Sequence, residues 1–344
     1  MYTERPPEPA LADRIACLWH QVCEADGTHL VVPDGCVDLI WGPDGPHVAG
    51  PDTGPMPTRM RAGDTYTGIR FKPGATGLVF GVPLTELRDQ RIPATALAAL
   101  TTPLLTDPAA LEPLTSALAE PPDPLALPFT ALPAPLAALA ATSPDGHAAP
   151  GFPSPDGHAV LGVASPDGSA AVGAASPGGL VAPGVSALAV SAWTPPGSAA
   201  LAAEGPRGGP AALLGVPRLP GLDAVGAARL LAMKAAVLAR LRDTPPSDPA
   251  APAIAAALRA GRTVAEVAWD LGYSERQLHR RTLAGFGYAP KTLQRIVRFQ
   301  RALRLARSGV PLAEVAASSG YTDQAHLSHD VKRLSGVSMT HLAA

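Results

Sequence analysis

Cysteine is scarce: Cys17, Cys23 and Cys36 are the only three in 344 residues, all near the start and at no metal-ligand spacing. An odd count argues against a disulfide framework, and MYTERPPEPALADRIACLWH has no basic stretch running into an apolar core. Together these point to a reducing, cytoplasmic setting. Long apolar runs are also missing. The 40 prolines interrupt every stretch before it reaches the roughly 18 residues of a membrane span, so no membrane partner is expected. GxSxG, P-loop, HExxH and HxH patterns are absent, as are the clustered cysteines of a metal-dependent DNA-repair methyltransferase. Asp34, Cys36 and Asp38 share one strand face beside a turn, but flanking carboxylates disfavour a thiolate, the wrong direction for a nucleophile. The expectation is no catalytic residue, no cofactor and no metal.

What is present falls into three zones, an α+β multidomain pattern. Residues 1–105 read as a β-rich N-terminal domain. HLVVP, CVDLIW, TYTGIRF and TGLVFGV are strand-prone runs, separated by turns at PDG (33–35), GPDG (42–45) and KPG (72–74). LTELRD, after Pro83, begins a short helix. Residues 106–245 hold two helical segments, DPAALEPLTSALAE (107–120) and GLDAVGAARLLAMKAAVLARLRD (221–243), which could pair as a hairpin. Between them, at about 121–222, lies an Ala/Pro/Gly-rich stretch in which SPDG recurs every 11 residues from Ser143, with SPGG at Ser176. It lacks the large apolar residues of a stacked core, so it reads as a low-complexity linker rather than a solenoid. His147 and His158, at matching points of two repeats, read as solvated.

Residues 250–344 spell one phrase twice: VAEVAWDLGYSERQLHRR from Val264 and LAEVAASSGYTDQAHLSHD from Leu312, 48 positions on. Thr263 and Glu266 form a capping box, and Val264, Val267, Ala268 and Leu271 make one apolar helical face. Gly272 stops that helix, and Ser274 with Gln277 caps the next. The second copy follows suit, with Pro311 in the first turn, Gly320 at the stop and Thr322 as the next cap. Two short helices joined by a Gly turn make a helix-turn-helix. Between the units, KTLQRIVRFQRALRLARSG (291–309) reads as one long helix. Its Leu293, Ile296, Val297 and Leu303 face the two units, leaving Arg295, Arg298 and Arg301 outside to touch any duplex alike.

Charge follows the same division. From Ala253 onward there are 13 Lys and Arg against 6 Asp and Glu, while residues 1–252 hold 14 against 23. A basic end suits a polyanion such as double-stranded DNA. With Leu278 and Leu327 pointing inward, the outward residues of the two reading helices are Arg276, Gln277, His279 and Arg280, then Gln324, Ala325, Ser328 and His329. Arg matches guanine O6 and N7, and Gln matches adenine N6 and N7.

At AEVAWDLGYSERQLHRR, LQRIVRFQRALRLAR and PLAEVAASSGYTDQAHLSHDVKRLSGVS the chain resembles the AraC/XylS family of bacterial transcription regulators. The resemblance covers about 95 residues and implies an all-α C-terminal domain with two helix-turn-helix subdomains joined by a long helix, entering neighbouring major grooves. It places base and phosphate contacts on Arg276, His279 and Arg280, then on Gln324, Ala325, Ser328 and His329. His329 stands where members often have Arg, Thr282 and Val331 replace core aromatics, and Met339 replaces the proline of a closing GVSP motif. VVPDGCVDLIW, GIRFKPGA and GVPLTELRD are similar to a poorly characterised domain that often precedes this module. By analogy it senses a small-molecule effector or mediates homodimerisation. RNA polymerase is the further partner implied. The rival reading is a ligand-binding or enzymatic front domain whose helical tail serves protein contacts.

Overall fold

The computed structural model describes residues 1–8, 11–119 and 219–343; the SPDG repeats, His147 and His158 lie outside the described residues. The chain has the expected α+β layout, a β-rich front and a helical C-terminal region. Its strands are β1 (Tyr2–Arg5), β2 (Ile15–Val22), β3 (Gly27–Val31), β4 (Val37–Gly42), β5 (Gly45–Ala49), β6 (Met56–Met60), β7 (Thr65–Phe71) and β8 (Arg91–Pro93). Six form an antiparallel sheet in the order β1-β2-β7-β4-β5-β8, and β3 pairs with β6 as a separate ribbon. The β4–β5 hairpin closes at Gly45, whose φ of 98° the Gly-Pro-Asp-Gly turn requires.

One expected strand is not a strand. TGLVFGV forms turns, because Gly77 and Gly81 both adopt positive φ and break the extended path. Its Val79 and Phe80 are nevertheless fully buried, so the apolar run marks core without marking strand. Conversely, β2 buries Ile15, Cys17, Leu18, Trp19 and His20 in near succession. A strand covered on both faces loses the alternation that identifies it in sequence.

Gly68 sits opposite Trp19 in the β2–β7 pair, and a Cβ there would lie 2.3 Å from the indole. The indole Nε1–H thereby reaches Asp38 Oδ1 at 2.9 Å. Arg70 Nε donates to the same carboxylate at 3.1 Å, and its guanidinium lies 3.9 Å from Asp34. Burial pushes the Asp38 carboxyl up, against the pull of Arg70. Burial also pushes the Cys36 thiol well up, with Asp34 and Asp38 adding to it.

After α1 (Leu84–Leu87) and α2 (Pro103–Thr106), helix α3 (Glu112–Ala119) packs on the 20-residue α4 (Ala224–Asp243), the hairpin anticipated in the sequence. Helix α4 lies on β7 and seals one core built from Leu18, Leu39, Ile69 and Phe71 with Leu231 and Met233. No described helix is long and apolar enough to cross a membrane.

Seven helices follow: α5 (Ala251–Arg259), α6 (Val264–Asp270), α7 (Glu275–Phe286), α8 (Pro290–Arg307), α9 (Leu312–Ser318), α10 (Gln324–Ser335) and α11 (Met339–Ala343). They enclose two separate cores. Leu293, Ile296 and Val297 of α8 enter the first, with Ile254, Val267 and Leu278. Phe299, Ala302 and Leu303 enter the second, with Val315, Leu327 and Val331. One helix therefore belongs to both units, changing allegiance between Val297 and Phe299.

Candidate nucleic-acid interface

In the first unit the capping logic of the sequence is realised. Thr263 and Glu266 form a reciprocal capping box on α6, and Ser274 and Gln277 form another on α7. The Thr263 backbone N–H, and then its hydroxyl, hold the Glu266 carboxyl below the usual range. Helix α6 stops before Gly272, at φ 69°, and α7 ends on Gly287, at φ 77°.

The second unit differs by one residue. Asp323, not Thr322, is the N-cap of α10; its carboxylate accepts from the His326 N–H at 2.7 Å. The Thr322 hydroxyl lies instead 3.3 Å from His326 Nδ1. Pro311 occupies the N-cap of α9 rather than its first turn. The 48-residue offset thus becomes 49 after the turn, since Ser274 and Asp323 are equivalent caps and Leu278 and Leu327 equivalent core residues. Arg276 then corresponds to Ala325, His279 to Ser328, Arg280 to His329 and Arg281 to Asp330.

Each sequence-nominated residue is exposed: Arg276, Gln277, His279 and Arg280 on α7, and Gln324, Ala325, Ser328 and His329 on α10. Within each helix they flank a buried leucine, Leu278 or Leu327. Two are partly committed elsewhere. Gln277 Oε1 accepts from the Ser274 N–H at 2.8 Å and from its hydroxyl at 3.0 Å, which leaves the amide N–H groups for an outside partner. The Ser328 hydroxyl donates to Gln324 O at 2.8 Å. Beside α10 runs a cleft of about 570 Å³ whose lining includes Gln324, Ser328, Lys332, Ser338 and His341.

Arg295 and Arg298 of α8 are not loose, contrary to the sequence expectation. Arg298 donates to Asp330 at 2.9 Å and lies 4.2 Å from the Tyr321 ring centroid; Arg295 meets the same carboxylate at 3.4 Å. Asp330 is only 6% exposed, so the pair fastens α10 to α8. Arg281 has the matching task in the first unit, where it donates to Asp248 at 2.6 Å over the Tyr273 ring. Hydrogen bonding to Asp248 raises its pKa. Composition alone does not separate these structural arginines from Arg276 and Arg280; the acidic partner, Asp330 or Asp248, does.

Residues 267–344 match the model of a helix-turn-helix domain. This region is an AraC-type helix-turn-helix domain. Residues 3–93 match a domain of unknown function, DUF6597. Among solved structures, the C-terminal domain of AraT, a response regulator from Geobacillus stearothermophilus, is 24% identical over 28% of this chain and 84% of its own. The TM-score is 0.27. No curated protein matches the chain. The helix-turn-helix domain points to DNA binding and transcription regulation as the broad class of function. Among the described residues, no group of three or more His, Cys, Asp or Glu is placed to hold a metal.

Proposed function

We propose that the chain is a sequence-specific regulator that reads two successive major grooves, with α7 in one and α10 in the next. The observation that carries this reading is the repeated presentation: in each unit a capped helix buries a leucine in its first turns, Leu278 or Leu327, and exposes the polar residues around it. Successive major grooves on one face of a duplex lie about 34 Å apart, and α8 is shared by both cores.

Arg276 and Arg280 are the main base readers, each suited to guanine, with His279 beside them and the Gln277 amide N–H groups as donors to base or phosphate acceptors. On α10, Gln324 suits adenine, Ala325 a thymine methyl, and Ser328 and His329 neighbouring acceptors. The second helix carries less charge at its reading face, so the first dominates discrimination and the second adds register. RNA polymerase, a small-molecule effector at the β-rich domain and a second copy of the chain complete the proposed set of partners. The domain limits proposed are 1–105, 106–245 and 250–344.

The test is fluorescence anisotropy on a duplex selected by the purified protein. Arg280→Ala is expected to cost about 1–3 kcal/mol on that duplex and to relax preference at one base pair. Unchanged affinity for Arg276→Ala combined with Arg280→Ala would remove α7 from the reading surface.

A further inference from the structure

The β-rich domain touches both helix-turn-helix units. Its turn Val32–Gly35 lies against α8: Gln300 Nε2 donates to Pro33 O at 2.7 Å, and Val32 packs on the second core. Near the other end of the same turn, a Cβ on Gly35 would lie 3.9 Å from the Tyr288 hydroxyl. Tyr288 belongs to the α7–α8 junction and is 1% exposed. Around that junction, Arg88 Nη1 donates to Gly287 O at 3.2 Å. A Cβ on Gly74 would come within 2.8 Å of both Ala251 Cβ and the Phe286 ring. The neighbouring loop reaches both units as well. A Cβ on Gly287 would meet Pro51 Cγ at 2.8 Å, and one on Gly336 would meet Pro55 Cγ at 3.7 Å.

These contacts matter because the two units have separate cores joined through one helix. Contacts from outside α8 to both units add a second constraint on the angle between α7 and α10. We infer that the front domain is an intramolecular splint: through turn 32–35 and loop 51–55 it holds the two helix-turn-helix units at a fixed angle. The turn itself is fastened to the sheet, because Asp34 Oδ1 accepts from the Cys36 N–H at 2.8 Å and its carboxylate faces Arg70. The proposed reading residues stay exposed in this docked arrangement. Docking therefore prepares the reading surface rather than masking it, and whatever displaces the turn weakens DNA binding.

The test labels the full chain at Ala265→Cys and Ala317→Cys, exposed positions on α6 and α9; the three native thiols are buried. Spin-label distances are measured without DNA in the parent, in Arg88→Ala with Gln300→Ala, and separately in Gly74→Ala, which forces the interface apart. A narrow distribution in the parent that broadens in either variant, with circular dichroism unchanged, supports the splint. The same narrow distribution in all three, or a broad one in the parent, overturns it. A second arm rests on the two-groove reading: on a duplex with both half-sites the broadened variants should bind about tenfold more weakly, as the effective concentration of the second contact drops. If the parent binds no duplex, that reading fails while the distance result stands.

Discussion

Arg280 and Arg281 are neighbours in sequence and opposites in environment. Arg281 is clamped by Asp248 and stacked on Tyr273, whereas Arg280 is exposed, as its proposed base-reading role requires. The same distinction governs α8. Arg298→Ala is expected to lower stability by about 1–3 kcal/mol, because it removes a charged hydrogen bond from the nearly buried Asp330. Chemical denaturation should show that loss, and any fall in DNA affinity should follow unfolding rather than salt concentration. Gly68→Ala makes a comparable demand in the sheet. The added Cβ displaces Trp19 and its bond to Asp38, so a loss of about 1–3 kcal/mol is expected from overpacking, read by thermal melting. The role of Arg281 was hidden in the sequence, since Asp248 stands 33 residues away and nothing local announces the pairing.

Among the elements, α6 and α7 are held at their starts by reciprocal caps, and caps are local enough to be legible in sequence. Thr263→Ala should therefore cost about 1 kcal/mol, measured by denaturant titration. Glu266 adds a pH dependence of definite sign. Its folded pKa is depressed, so its contribution is present above the unfolded carboxylate pKa and lost as pH falls through the folded one. Relative to Glu266→Gln, the parent should lose stability across that acidic range and not at neutral pH. The second unit was legible in type but not in register. Thr-Asp offers two candidate caps in a row, and which one serves depends on where Leu327 must point to reach Phe299 and Val315 in the core. Strands divide in the same way. Runs with open alternation or strong turn residues, such as CVDLIW before Gly-Pro-Asp-Gly, declare themselves, while β2 is buried on both faces and TGLVFGV is bent by its glycines.

At the scale of the whole molecule, the charge asymmetry and the repeated phrase were enough to indicate a DNA-binding end, because each is a property of sequence alone. Docking of the sheet on that end was not legible. It depends on shape at Gly74 and Gly287 and on backbone acceptors at Pro33 and Gly287, none of which a residue type encodes. The central claim is that both helices enter one duplex from the same side. Hydroxyl-radical footprinting on a selected duplex tests it most directly. The account predicts two protected patches on one face, centred about one helical turn apart, with the α7 patch lost in Arg276→Ala combined with Arg280→Ala. A single protected patch, or two patches that survive that double substitution, would contradict it.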